Sequence, residues 1–218
     1  EFINGIEVYP NDSGTEALWV YKEDLPYVVT TTAQGIKLPE MLAARSRKNG
    51  ASTLVWGVYT FFTLGNGLQR YYSGSIEDLG PNVGEGLPSG RQGPIISLLG
   101  YPGRVLAIVD GGSTGYSSLL ERSGSGWHEV YRSPYGQRLK AMALQVIPGT
   151  TIDRLWLYQG NLAIWLPFPS DATSELSDTA YKYTHEGALI LSRMHAGMFD
   201  TQKLIKNIKI WTDELESG

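Results

Sequence analysis

The chain has 218 residues, no cysteine, 18 Lys+Arg against 22 Asp+Glu, and a formal charge of -4. At 42% hydrophobic and 18% charged residues it can build a core and is too apolar for a disordered tail. It has no basic excess to neutralise a phosphate backbone, no apolar run of roughly 18 residues to span a bilayer as a helix, and no thiol for a disulfide, a thiolate metal site or a cysteine nucleophile.

The chain opens Glu1-Phe2-Ile3, without a start Met or a basic n-region, and closes on Glu214 to Gly218 without a finishing element. Both ends are expected to be cuts in a longer polypeptide. Strand-like runs follow at 17–21, 27–32, 53–64, 69–72, 95–99, 104–110, 117–121, 127–132, 141–147, 154–158 and 162–168. Glycine-rich clusters punctuate them at 65–67, 73–75, 111–115, 123–126 and 159–161, and Asn66-Gly67 is a hairpin signal. The stretch 81–94, rich in Gly and Pro, is expected to be a long loop. Helical spacing occurs twice. Pro39 can open a helix over 38–50, with Leu38, Met41, Leu42 and Arg45 on one side. Asp200 can cap a short helical turn to about Ile205, followed by a strand in which Ile208 and Ile210 alternate with Lys209.

The 26 glycines, 13 tyrosines and 6 tryptophans describe an all-β protein. The later strand starts recur near 55, 105 and 155, a period of about 50 residues. Three or four strands per unit of that length predict β-propeller-like blades of antiparallel strands, with a β-sandwich as the alternative. Residues 1–172 are expected to hold the blades. Residues 173–218 are expected to add C-terminal strands that close the propeller or lead into a further module.

Little in the chain points to chemistry. His128 sits in an alternating strand where it is expected to face solvent, His185 lies in a polar stretch, and His195 pairs with neither at metal-ligand spacing. Gly111-Gly-Ser-Thr-Gly115 fits G-x-S-x-G, and Asp153, Asp171 or Asp178 followed by His185 would complete a hydrolase order around Ser113. The segment after Ser113 is too short for the helix such an elbow needs, so a glycine-rich inter-strand turn is the preferred reading. The same loop, Asp110 to Thr114, lacks the lysine of a phosphate cradle. Glu77, Asp78, Glu129, Glu175 and Asp178 are available as paired carboxylates, yet read first as solvated loop charge. Asn11-Asp-Ser13 matches a glycosylation triplet that is common by chance. Trp19, Trp56 and Trp156 sit inside apolar runs and are expected to pack between blades. Tyr71, Tyr72, Tyr116 and Tyr135 lie nearer turns and are the better candidates for exposed ligand contacts.

Several segments resemble propeller repeats in tail-associated structural proteins of tailed phages. They are Val55-Trp-Gly-Val-Tyr59, Leu68-Gln-Arg-Tyr-Tyr72, Ile76-Glu-Asp-Leu-Gly-Pro81, Gly84-Glu-Gly-Leu-Pro88, Gly126-Trp-His-Glu-Val-Tyr131 and Arg154-Leu-Trp-Leu-Tyr-Gln-Gly160. Gly187 to Leu191 and Ala196 to Asp200, with Lys203 and Lys206, resemble the passage leaving such a propeller. The resemblance implies a non-enzymatic structural or interaction module of a virion tail or fibre, outside the cell. Its expected partners are other virion protein copies, as a homo-oligomer, and a host surface glycan, with no nucleic acid and no membrane insertion. It carries across no catalytic residue, no metal and no cofactor, and it leaves the ligand-binding residues unknown. The alternative is a carbohydrate-active enzyme on a propeller, a glycoside hydrolase or lyase.

Overall fold

The structure is a computed structural model that describes residues 2–11, 13–29, 35–37, 44–81, 87–124 and 126–169. Among these residues it is all-β, with four antiparallel sheets, no α-helix and one 3-10 turn at Ser89–Arg91. Every sheet is a meander in which each strand pairs with the next in sequence. Sheet one holds β1 (Ile3–Pro10), β2 (Glu16–Lys22), β3 (Pro26–Val29) and β4 (Gly35–Lys37). Sheet two holds β5 (Thr53–Trp56), β6 (Tyr59–Leu64), β7 (Gly67–Tyr72) and β8 (Ser75–Gly80). Sheet three holds β9 (Ile95–Tyr101), β10 (Arg104–Val109), β11 (Ser118–Ser123) and β12 (Gly126–Arg132). Sheet four holds β13 (Leu139–Gln145), β14 (Ile152–Gln159) and β15 (Leu162–Pro169). The all-β class of antiparallel strands is as expected from the sequence.

Turn chemistry explains the short strands. The run 53–64, expected as one strand, is two, because Gly57 takes φ +62° and turns the chain so that Trp56 pairs with Tyr59. The next hairpin turns at Gly65-Asn66 rather than at Asn66-Gly67. Gly65 has φ +59°, and Gly67 already pairs with Leu64. Ser73 and Gly74 both have positive φ, 45° and 82°, as a two-residue turn matched to strand twist requires. Between β1 and β2 the Asn11 carboxamide oxygen accepts bonds from the Ser13 amide at 3.1 Å and the Thr15 amide at 3.0 Å. Of the expected helix over 38–50, residues 38–43 lie outside the described residues, and 47–50 form a turn. Residues 173–218, with the expected C-terminal helical turn and strand, also lie outside them. The expected loop at 81–94 carries only the 3-10 turn among its described residues.

The meanders pack face to face in chain order. Tyr9, Trp19 and Tyr21 of sheet one bury against Phe62 and Tyr71 of sheet two. The opposite face of sheet two, with Phe61, Leu68 and Leu79, buries against Ile95, Val105, Ala107, Val109 and Leu120 of sheet three. The far face of sheet three, with Leu106, Ile108 and Leu119, buries against Leu139, Leu155, Leu157 and Phe168 of sheet four. The leading strands also follow one another: β1 lies against β5, β5 against β9, and β9 against β13. Trp19 is fully buried in the first of these layers. Trp56 lies over the backbone of Gly100, so closely that a Cβ there would fall 2.3 Å from the indole, yet it stays 36% exposed. Trp156 departs from its expected place between layers. It lies on the outer face of sheet four, directly across from Trp165.

One carboxylate enters the first layer. Glu7 alternates onto the same face of β1 as Tyr9, and its Oε1 accepts hydrogen bonds from the Tyr21 and Thr60 hydroxyls. Burial raises its pKa, and the bonds from Thr60, Tyr21 and Thr53 only partly offset this. The Tyr21 hydroxyl is pushed well above its ordinary value, first by burial and then by the Glu7 charge beside it. A carboxyl whose folded-state pKa is raised binds more protons folded than unfolded, so stability falls as pH rises through the interval between the two values. Glu7→Gln keeps an oxygen acceptor and removes the charge. It is expected to raise the thermal midpoint relative to wild type at pH 7, with the gain shrinking as pH falls from the raised folded-state value towards about 4, the ordinary glutamate value, and no longer changing below it. Thermal melts of both proteins across pH check it, and an equal or lower midpoint at pH 7 would refute it.

Candidate functional site

The strongest candidate lies at the end of sheet three where β10 passes into β11 and β12 passes towards β13. Asp110 follows the last residue of β10 and is 4% exposed. Its Oδ1 accepts bonds from the Gly112 amide at 3.0 Å, the Ser117 hydroxyl at 3.2 Å and Arg138 Nε at 3.1 Å. Its Oδ2 accepts from Arg138 Nε at 2.9 Å and from Arg138 Nη2. Burial alone would raise the Asp110 pKa, but the Arg138 bonds and charge, the Gly112 amide and the Ser117 hydroxyl together hold it below the usual carboxylate value. The Arg138 guanidinium is raised in turn by its bonds to Asp110.

This knot holds the 111–117 loop. Gly112, with φ +76°, lets the chain fold back so that its amide reaches Asp110. The Tyr116 amide donates to Gly90 O at 2.8 Å, tying the loop to the 3-10 turn, and the Gly136 amide donates to Gly115 O at 2.9 Å. Ser117 and Ser133 join the two loops through Ser117 N to Ser133 Oγ and Ser133 N to Ser117 O, both 2.9 Å.

The braced loops set two rings side by side. Tyr116 and Tyr135 meet edge to face with centroids 5.4 Å apart, and Tyr135 is 62% exposed. The Arg132 guanidinium lies 5.6 Å from the Tyr116 ring centroid. Beside them Arg91 Nη1 pairs with Glu129 Oε2 at 3.0 Å, and the Ser118 hydroxyl donates to Glu129 Oε1 at 2.7 Å. The result is an open aromatic surface with charged hydrogen-bonding groups at its margin. Such a surface can stack on the apolar face of a polar ring and bond its hydroxyls.

Of the four tyrosines singled out in the sequence, Tyr116 and Tyr135 are brought together here. Tyr72, 50% exposed, lies elsewhere, edge-on to Tyr59 at 5.5 Å. Tyr71 is a correction: it is 1% exposed and packs 4.8 Å from the Trp19 ring, because it alternates to the face opposite Tyr72. Ser113 lies in an exposed turn whose next element is the strand β11, not a helix. His128 is exposed on β12. Glu77 pairs with Arg70 across β7 and β8. Asp153 is buried, accepting from the Ile147 amide at 3.0 Å and the Tyr101 hydroxyl at 3.3 Å. Asp171, Glu175, Asp178, His185 and His195 lie outside the described residues. Among the described residues no three His, Asp or Glu side chains converge to hold a metal ion. Sequence reasoning missed Arg132, Arg138 and Arg91. The Asp110-Gly-Gly turn was visible, but nothing local signals a partner 28 residues away.

No protein-family model matches the chain. No curated protein matches it in sequence.

Asp110→Asn leaves one carbonyl acceptor for five contacts. It is expected to lower unfolding free energy by about 1.5–3 kcal/mol, the usual loss for bonds to a charged group. The difference from wild type should close in acid as pH drops through the depressed pKa, since wild-type Asp110 contributes fully only above about pH 5. Urea titrations at pH 7 and pH 3 measure both; an unchanged midpoint at pH 7 would remove the knot from the account.

Proposed function

We propose that the chain is a non-enzymatic interaction module built of β-propeller-like blades, and that its Tyr116–Tyr135 surface contacts glycans. The observation that carries the reading is this pair of rings, flanked by Arg132, Arg91 and Glu129 and presented on loops that Asp110 pins in place. A ligand surface held in one geometry loses little conformational freedom on binding. The blade reading is supported by consecutive meanders stacked in chain order with their leading strands adjacent, as blades are arranged about an axis. The resemblance of the repeats to tail-associated phage proteins supports a virion tail or fibre as the setting. In that setting the module works outside the cell beside other virion protein copies.

A glycan array followed by calorimetry on the best ligand tests the contact. Tyr135→Ala is expected to weaken binding roughly tenfold or more, as loss of an exposed aromatic anchor does, while the melting curve stays unchanged. Tyr72→Ala, at the separate aromatic pair, should leave affinity unaltered. Binding to no glycan, or equal affinity for Tyr135→Ala, would overturn the contact. Release of new reducing ends or unsaturated sugars from a bound polysaccharide would replace this reading with the carbohydrate-active enzyme.

A further inference from the structure

The stack obeys one packing rule three times. The face of sheet one that carries Trp19 meets the face of sheet two that carries Phe62. The other face of sheet two meets sheet three, and the other face of sheet three meets sheet four. Each sheet therefore has a leading face, turned towards the preceding sheet, and a trailing face, turned towards the following one. Among the described residues two faces meet no other sheet: the leading face of sheet one and the trailing face of sheet four.

Both expose large apolar side chains, and on sheet four Arg154 and Lys140 lie over the Trp165 and Tyr158 rings. On sheet one Ile6 pairs with Val20 and Val8 with Leu18, on the side away from Trp19. Ile6, Val8 and Leu18 are 57%, 58% and 41% exposed. On sheet four Trp156 pairs with Trp165 and Tyr158 with Ala163, on the side away from Leu155. Trp165 and Tyr158 are 47% and 40% exposed. Contiguous apolar patches of this kind mark association surfaces. Since these faces are exposed, they do not cover each other within one chain.

We propose that the trailing face of sheet four packs on the leading face of sheet one of a second copy of this chain. The contact repeats the rule already used inside the molecule, the trailing face of one sheet on the leading face of the next. It is head-to-tail, so it uses different surfaces on the two copies and leaves one of each open until a ring closes. The described residues of each chain supply four sheets, and two chains supply a number within the ~4–8 blades of closed propellers. The inference rests on the blade-like reading above and names the copy-to-copy surface that reading requires.

The test is light scattering on the intact 218-residue chain across a concentration series. Wild type is expected at twice the 24.0 kDa of one chain. Val8→Lys, which spoils the leading face, and Trp165→Glu, which spoils the trailing face, should each run at the mass of one chain, with dissociation raised at least about tenfold. Mixed in equal amounts, the two variants should regain the doubled mass, because each keeps the face the other lacks. Leu18→Lys and Trp156→Glu serve in their place if circular dichroism shows that either first variant fails to fold. Wild type at the mass of one chain at every concentration would overturn the proposal. So would a pair of variants of which only one dissociates, since that outcome means one face pairs with itself. Glycan affinity on the same samples separates the two readings. Doubled mass and rescue without any glycan binding leave the interface standing and remove the proposed function. Glycan binding by a single-chain wild type does the reverse.

Discussion

Everything in this molecule depends on the burial of one meander against the next. Each sheet has only three or four strands and buries its apolar face against a neighbouring sheet. Position in the stack is written into the strands. The two middle sheets are covered on both faces, so their central strands are continuously buried: Thr60 to Thr63 in β6 and Val105 to Val109 in β10. In the outer sheets only one face meets another sheet among the described residues, and β2 and β14 alternate instead. A continuous run and an alternating run thus report how many neighbours a sheet has, not whether the segment is a strand.

Apolar packing is non-directional, and the aromatic residues supply the direction. At each layer a ring sits in the core while its polar tip bonds across the junction. The Tyr9 hydroxyl donates to Val58 O at 2.6 Å between sheets one and two. Trp127 Nε1 donates to Leu79 O at 2.6 Å between sheets two and three. Tyr101 reaches Asp153, and Tyr131 reaches Gln159, between sheets three and four. This dual use explains why a chain with 13 tyrosines and 6 tryptophans spends many of them inside. It also explains why residue type alone does not separate core rings from exposed ones.

The all-β class and most strands were legible because glycine clusters and apolar runs alternate along the chain. β1 was not, since Asn4, Gly5 and Glu7 dilute its pattern, and Glu7 points into a layer where its acceptor role depends on Thr60, 53 residues away. The break at Gly57 was hidden inside Val55-Trp-Gly-Val-Tyr59, an apolar run in which one positive φ makes two strands. Trp56 and Trp156 look alike in sequence. One lies over Gly100 of the next sheet and the other faces outward, because sheet four has no following sheet among the described residues. Tyr116 and Tyr135 could be picked as exposed rings from their turns, but their meeting could not, since it depends on Arg138 reaching back to Asp110.

Buried polar groups at the sheet connections complete the frame. Asn49 donates to Glu23 O at 2.7 Å and Ala44 O at 2.9 Å, and accepts from the Gly65 amide at 2.8 Å, so it fixes how sheet one leads into sheet two. Asp110 fixes the loops of sheet three against the start of sheet four, and Asp153 fixes sheet four against Tyr101 of β9. A slipped register would strand each of these groups without partners, at a cost of about 1–3 kcal/mol apiece. Satisfied, they select one arrangement among the many that would bury similar apolar area. The rigidity that keeps Tyr116 and Tyr135 in place is therefore not a property of their own loop. It is inherited from a stack whose layers are held together by rings and aligned by a few buried polar side chains.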